Sequence, residues 1–488
     1  MGALLLGGSG ASDVDSAAVP KRPHVVLLIL DELPSDSLLD RRRRIDPVRY
    51  PNFAALAGDS SWFRNAFSVY DSTTKAVPLI LDGVKPQPGT SADRRDHRRS
   101  IYDIFARHGY RVVDSEEASA LCPPSICRGG RTRRPAIIPY LLSGRPERFE
   151  RWVRSIRAGR PTLWVKHLML PHGPYQYLPS GVRTRPGPGD LLHGMNTVPG
   201  FHDEFLTRHN EQRYLLQLGY TDRLLGRLIR RLKQQGIYDD TLIVVTADHG
   251  IAFQVGVPTR RSARAYNVEE LTPVPLIVKR PGQRRGRVLD AYARTLDVTP
   301  TIASVLGWRL GYRADGRSAF GPTTRRRRTI TLTTRDFSST ISVSGRRWEA
   351  RRRAIIRRRL RQFGSGDIAS LYTGIGPNRE LIGRSVGDPT RASSVRASLA
   401  EPSMFADVRP GSGVLPTQIV GDLRGGQAGE KRDLAVAVNG RIEAVGRSFY
   451  LQGDPTEHFA LMVPESSLHP GRNSIELFEV VAGGLRRL

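Results

Sequence analysis

Cysteine is almost missing from this chain: the only two, Cys122 and Cys127, lie in LCPPSIC. Two cysteines exclude a disulfide-scaffolded fold, and without further ligands beside them they exclude a zinc module built on that pair. In an oxidising compartment they could staple one small loop. Lysine is scarce too, with seven residues, so the 75 basic residues are nearly all arginine and the formal net charge is +28. Aromatic residues make up 7%. No arginine-rich stretch interleaves them as a single-strand binder does, and no zinc-finger or helix-turn-helix pattern occurs, so specific nucleic-acid binding is not expected. The charge has two remaining readings: arginine codons used on solvated faces, or a basic surface for an anionic polymer or lipid.

Long hydrophobic runs are absent as well. The longest purely apolar run, residues 25–30, is far short of the ~20 residues a membrane helix needs. The opening MGALLLGGSGASDVDSAA lacks the basic start and longer apolar region of a secretory signal, and residues 1–22 read as a flexible leader.

What is present is ample for a core. Over 488 residues, 39% are hydrophobic and 25% charged, which fits two or three folded domains. HVVLLIL (24–30) is an apolar, β-branched run that ends abruptly in Asp31-Glu32, the pattern of a buried parallel strand. TLIVVTADHG (241–250) repeats it, and PTLWVKHLML (161–170) and VPLIVKRPG (274–282) read as further strands. Helices are expected after Tyr50, from Val77 to Gly83, over 100–109, along the leucine-spaced stretch ending at Gly236, and over 296–306. Strands alternating with helices predict an α/β fold, a largely parallel sheet flanked by helices, over 23–310. Residues 311–430 read as an Arg-rich extension and linker, irregular over 363–430; residues 431–488 read as a smaller β-rich module with Asn-Gly and Pro-Gly turns.

In such sheets the functional loops gather at the carboxyl ends of the strands, where Asp31, Glu32, Asp248 and His249 all fall. Carboxylates with an imidazole suit a divalent cation, although each pair alone also fits an acidic loop or an Asp-Gly turn. His167 ends a strand and fits a core histidine; His172 sits in a polar loop and is the better functional candidate. Thr73, in DSTTKAVPLILDG, is either a helix cap or a nucleophile whose hydroxyl a divalent cation activates.

Together the ordered segments LILDEL, YPNFAALA, WFRNAFS, TTKAVPLILDG, HLMLPHGPY, YDDTLIVVTADHG, VPLIVKRPG and LDVTPTIASVLG resemble the alkaline phosphatase/sulfatase superfamily over about residues 22–310. The resemblance implies metal ligands at Asp31, Glu32, Asp248 and His249, joined by the nucleophile Thr73, with Thr74 as the neighbouring alternative. It implies Zn or Mn as the ion, with Ca or Mg as alternatives. His172, with His167, would protonate the leaving group, and Lys75 would hold an ester oxygen. Sulfatases need Cys or Ser in a Cys/Ser-x-Pro/Ala-x-Arg motif for formylglycine; the slot here reads TTKAV, and CPPSI carries Ile126 where Arg is required. The Thr resembles instead the lipoteichoic acid synthases, phosphoethanolamine transferases and nucleotide pyrophosphatase/phosphodiesterases. The function this implies is hydrolysis or transfer of phosphate (or sulfate) esters. The alternatives are a sulfatase, or a non-catalytic sulfatase-fold protein that binds an anionic envelope glycan or lipid. The expected partner is an anionic ester, lipid- or polymer-linked, with a membrane surface as a further candidate and an extracytoplasmic or membrane-associated location.

Overall fold

The computed structural model describes residues 22–127, 136–187, 189–196, 201–257, 260–261, 263–387, 391–482 and 484–488. The leader expected over 1–22 lies outside the described residues, apart from Arg22. Seven strands form the main sheet: β1 (Val25–Asp31), β2 (Ser61–Phe63), β3 (Arg111–Ser115), β4 (Thr162–Pro171), β5 (Leu242–Ala247), β6 (Leu276–Lys279) and β7 (Arg287–Leu289). Their order is β3-β4-β1-β5-β6-β2-β7. Side chains alternate faces along a strand, so a run buried at every position must be covered on both sides. β1, β4 and β5 are buried throughout and lie side by side and parallel.

One expectation is modified. The strand read from VPLIVKRPG runs antiparallel to both β5 and β2. A parallel neighbour requires a crossover. Here the chain returns through residues 248–275 and enters β6 from the opposite end. The sheet is therefore mixed, and its parallel part, β3-β4-β1-β5, carries the loops of interest.

The long helix Glu204–Gln234 packs against β4 and against the short helix Pro51–Gly58. Asp222 on the long helix accepts hydrogen bonds from the backbone amides of Asn52 (3.0 Å) and Phe53 (2.8 Å) and from Asn52 Nδ2 (2.7 Å). The open amides of the short helix are thus satisfied from outside it. This close approach needs Gly226, where an added Cβ would lie 2.2 Å from Asn52 Oδ1. No helix among the described residues is long and apolar enough to cross a membrane.

The Arg-rich extension is ordered. It holds the hairpin β8 (Thr329–Thr333) and β9 (Thr340–Ser344), then the helix Gly345–Phe363. That helix docks through Trp348, whose Nε1 donates to Thr272 Oγ1 at 2.8 Å, and through Arg352, buried against Asp36. Residues 363–430, expected to be irregular, contain β10 (Arg391–Ala392), β11 (Arg396–Leu399) and β12 (Gln418–Arg424). These join β13 (Asp433–Val438), β14 (Arg441–Arg447), β15 (Glu457–Met462), β16 (Ile475–Val481) and β17 (Gly484–Arg487) in a five-stranded sheet β10-β17-β16-β13-β14 and a three-stranded sheet β11-β12-β15. Ile419, Leu423, Val436, Phe459 and Leu477 share one core between the two sheets. The short strands escaped sequence reading because their apolar faces are filled only by pairing with strands far along the chain. Asn439-Gly440, both at positive φ, turns β13 into β14 as expected.

Candidate metal and active site

Parallel pairing brings the two acidic strand ends together. Leu30 of β1 stands opposite Ala247 of β5, so Asp31 and Asp248 follow side by side. Glu32 then adopts φ 59, a left-handed conformation that costs a side-chain-bearing residue roughly 1–3 kcal/mol. Its amide donates to Asp248 Oδ1 at 3.1 Å, which holds the turn. The His249 amide donates to the same oxygen at 2.7 Å. Ser68 Oγ donates to the Asp248 carbonyl at 2.5 Å, and the Tyr214 hydroxyl to the Glu32 carbonyl at 3.0 Å.

Two triads with metal-ligand spacing result, Asp31/Asp248/His249 and Asp31/Glu32/His172, and all five residues are buried. In the first, Asp31 Oδ1 and Asp248 Oδ2 are buried without a hydrogen-bond partner. Buried polar atoms left open in this way cost free energy unless something binds them. His249 Nδ1 lies 2.8 Å from the Gly250 carbonyl, which can only accept. The proton is therefore on Nδ1, and the Nε2 lone pair faces the cluster. Burial, and then Asp248, push the Asp31 carboxyl well above the usual carboxylate range. A cation at the open atoms would reverse that shift.

Thr73 opens the helix Thr73–Asp82, which closes at Gly83 (φ 72). The cap reading is not realised: Ser72 holds the cap position and makes no side-chain cap bond. Thr73 Oγ1 lies instead 3.4 Å from His249 Nε2. Thr74 Oγ1 is turned to Ser72 Oγ at 3.2 Å. Lys75 Nζ, expected to hold an ester oxygen, donates to the Thr90 carbonyl at 2.7 Å and stands over the Phe337 ring.

His167 is fully buried, with Nε2 3.6 Å from Asp31 Oδ2 and Nδ1 3.2 Å from Glu116 Oε1. Burial alone would lower its pKa, but the Glu116 contact and the Asp31 charge raise it to about 9. His172 Nε2 lies 3.3 Å from Glu32 Oε1 and 3.2 Å from Arg260 Nη2, while its Nδ1 donates to the Gly173 carbonyl. Since guanidinium can only donate, Nε2 accepts. Burial first, and then Arg260 and Arg261, hold its pKa well below the usual value, against the pull of Glu32.

Sequence reasoning missed several members. Arg260 Nε is 3.1 Å from Glu32 Oε2 and Arg261 Nε is 3.3 Å from Oε1. They outweigh the effect of burial and keep the Glu32 carboxyl far below its ordinary range. Among so many arginines nothing distinguishes this pair, except that it follows Asp248-His249 in the next loop. Asp71, two residues before Thr73, has a buried, unpartnered Oδ1 and a pKa raised by burial. Arg145 holds the His172 loop by donating to the Met169 and His172 carbonyls, and Gln217 donates to those of Pro171 and His172. Cys122 and Cys127 form a disulfide with 5.9 Å between their Cα atoms.

Comparison with known proteins finds the following similarities. The sulfatase family model matches residues 147–308. A multifunctional alkaline phosphatase superfamily protein, PehA of Trinickia caryophylli, is 34% identical over 132 residues, 27% of this chain and 25% of that protein. An ulvan-active sulfatase of Formosa agariphila is 24% identical over 328 residues, 59% of this chain and 62% of that protein. The match thus spans from a quarter to about three fifths of these relatives. Among solved structures, a phosphonate monoester hydrolase from Silicibacter pomeroyi superposes with a TM-score of 0.45 at 22% identity, covering 64% of this chain and 79% of that one.

Proposed function

Because the chain belongs to the alkaline phosphatase/sulfatase superfamily, we propose that it is a metal-dependent hydrolase or transferase of phosphate esters with Thr73 as its nucleophile. One observation carries this reading: Thr73 Oγ1 lies 3.4 Å from His249 Nε2, at a cluster whose remaining ligand atoms are buried and open. Asp31, Asp248 and His249, with Glu32 beside them, fit a divalent cation by donor type and spacing. Zinc or manganese suits a mixed carboxylate and imidazole set. When bound, such an ion supplies positive charge that lowers the pKa of a neighbouring hydroxyl and offsets charge on an ester oxygen.

The chain's own groups do the rest. Thr73 Oγ1 lies beside His249 Nε2, so with that nitrogen holding the ion the hydroxyl oxygen would stand at the cluster. Thr73 Oγ releases its proton and attacks phosphorus, the bond to the leaving group breaks with its electron pair on the departing oxygen, and that oxygen takes up a proton from water to leave as the alcohol. Water, or a second alcohol, then cleaves the threonine ester. The helix N-terminus at Thr73 faces the transferred anion with the positive end of its dipole. Arg260 and Arg261, fixed by Glu32, bring two guanidiniums to the same cluster. His172 positions Arg260 through its Nε2, and His167 positions Asp31 against Glu116. We assign this chemistry to residues 23–310, with 311–430 as a docked extension and 431–488 completing the β-rich module.

A second reading, hydrolysis of a sulfate ester, draws on the family model and on the ulvan-active relative. The test is turnover of an aryl phosphate diester and of an aryl sulfate with added manganese or zinc. Product from the diester, abolished in Thr73→Ala, is the expected result. Product from the sulfate alone favours a sulfatase, and product from neither favours a binding protein.

A further inference from the structure

Away from the metal cluster, the docked helix Gly345–Phe363 carries Arg353, Arg357 and Arg361 at spacings of four residues, which puts them on one face. Like charges so placed repel one another. Opposite stands the tight turn of Arg41, Arg42 and Arg43. Asp40 builds it: its Oδ1 accepts from the Arg42 amide at 2.8 Å and the Arg44 amide at 2.9 Å, and its carbonyl accepts from the Arg43 amide at 3.0 Å. With Arg64, these six arginines line a cavity of about 870 Å³ whose apolar lining is Ile356 and Leu360. No carboxylate and no aromatic ring lines it.

The opposing charge is small. Asp290 pairs with Arg64 at 2.6 Å, and Glu349 is shared between Arg43 at 3.9 Å and Arg353 at 3.7 Å. These two carboxylates pair with three of the seven guanidiniums. Arg43 adds a second observation: its side chain is 15% exposed, and its Nε and Nη2 are buried without a hydrogen-bond partner.

We propose that this cavity binds a compact oligophosphate. Its volume lies in the range of small-molecule sites, below what a polymer or a membrane surface would require. A terminal phosphate brings about 1.5–2 negative charges near neutral pH and a bridging one brings one, so a triphosphate sets about four to five charges against the arginines, whereas sulfate brings one charge per group. Lack of an aromatic lining leaves a nucleobase nothing to stack on. None of the metal-cluster residues lines the cavity.

The probe is sodium tripolyphosphate, titrated calorimetrically into the full chain with EDTA present, at about 150 mM ionic strength so that loose surface pairing is screened. One molecule per chain is expected. Arg43→Gln, and separately the double variant Arg357→Glu with Arg361→Glu, should weaken binding about tenfold or more, while Asp248→Asn leaves it unchanged. Arg357 and Arg361 are exposed, so that double variant remains informative if Arg43→Gln fails to fold. Absence of binding, equal affinity in the double variant, or loss of binding in Asp248→Asn overturns the proposal. So does tighter binding of a sulfated oligosaccharide or of phosphatidylserine vesicles.

Discussion

The two triads share Asp31 but differ in how their other carboxylate is treated. Glu32, in one, is ion-paired to Arg260 and Arg261, with His172 Nε2 3.3 Å away. Asp248, in the other, has one oxygen fixed by two backbone amides and one left bare beside the bare oxygen of Asp31. Burying a carboxylate is costly unless a positive partner accompanies it. The chain supplies guanidinium partners to Glu32, whereas the open oxygens of Asp31 and Asp248 have no such partner. On the proposed function, the open pair would take a cation and the guanidiniums beside Glu32 would face an anion.

That contrast can be broken or sharpened. The largest expected effect is Thr73→Ala, which should lower kcat by roughly 10³-fold or more while the bound metal per chain, measured by elemental analysis, stays unchanged. Next is Asp248→Asn. Removing charge from the open triad should weaken metal binding at least about 10²-fold in a chelator competition, whereas the same test on His172→Gln should show a much smaller change. Glu116→Gln comes third. It leaves His167 without its outer partner and should lower metal affinity by about tenfold through Asp31.

A further effect concerns the fold rather than the site. Burial pushes the Asp222 carboxyl up to about 6, against the pull of its amide partners. A folded-state pKa above the unfolded value means stability that is present below about 4 and lost as the pH rises through about 6. The two-unit shift corresponds to about 3 kcal/mol, as an upper figure. Asp222→Asn should flatten that part of the stability curve. Chemical denaturation at about pH 4 and pH 7 checks it: a variant as pH-dependent as the parent removes Asp222 as the cause.

The α/β half of the fold could be read from the chain because its central strands are apolar at every position and end in abrupt polar steps. VVLLIL before Asp31 and LIVVTA before Asp248 need no partner to be recognised as buried. The β-rich module was less legible. Gln418–Arg424 and Arg396–Leu399 have ordinary composition and become strands only by pairing with Glu457–Met462 and with each other. Lys75 and His172 show the same limit at single residues. The sequence places both near the cluster's loops, and the fold sets Lys75 Nζ on the Thr90 carbonyl and His172 Nε2 3.2 Å from Arg260 Nη2.

By itself the sequence determined the buried parallel strands, the carboxylate and imidazole pairs at their ends and the threonine at the start of a helix, because all of these depend on local order along the chain. Only the tertiary structure decided that Asp31 and Asp248 keep an open oxygen, that Glu116, Arg260 and Arg261 join the cluster, and that seven arginines surround one cavity. The physical reason is that desolvation and charge pairing depend on distance in space, and residues far apart in sequence carry no mark of it until the sheet brings them together.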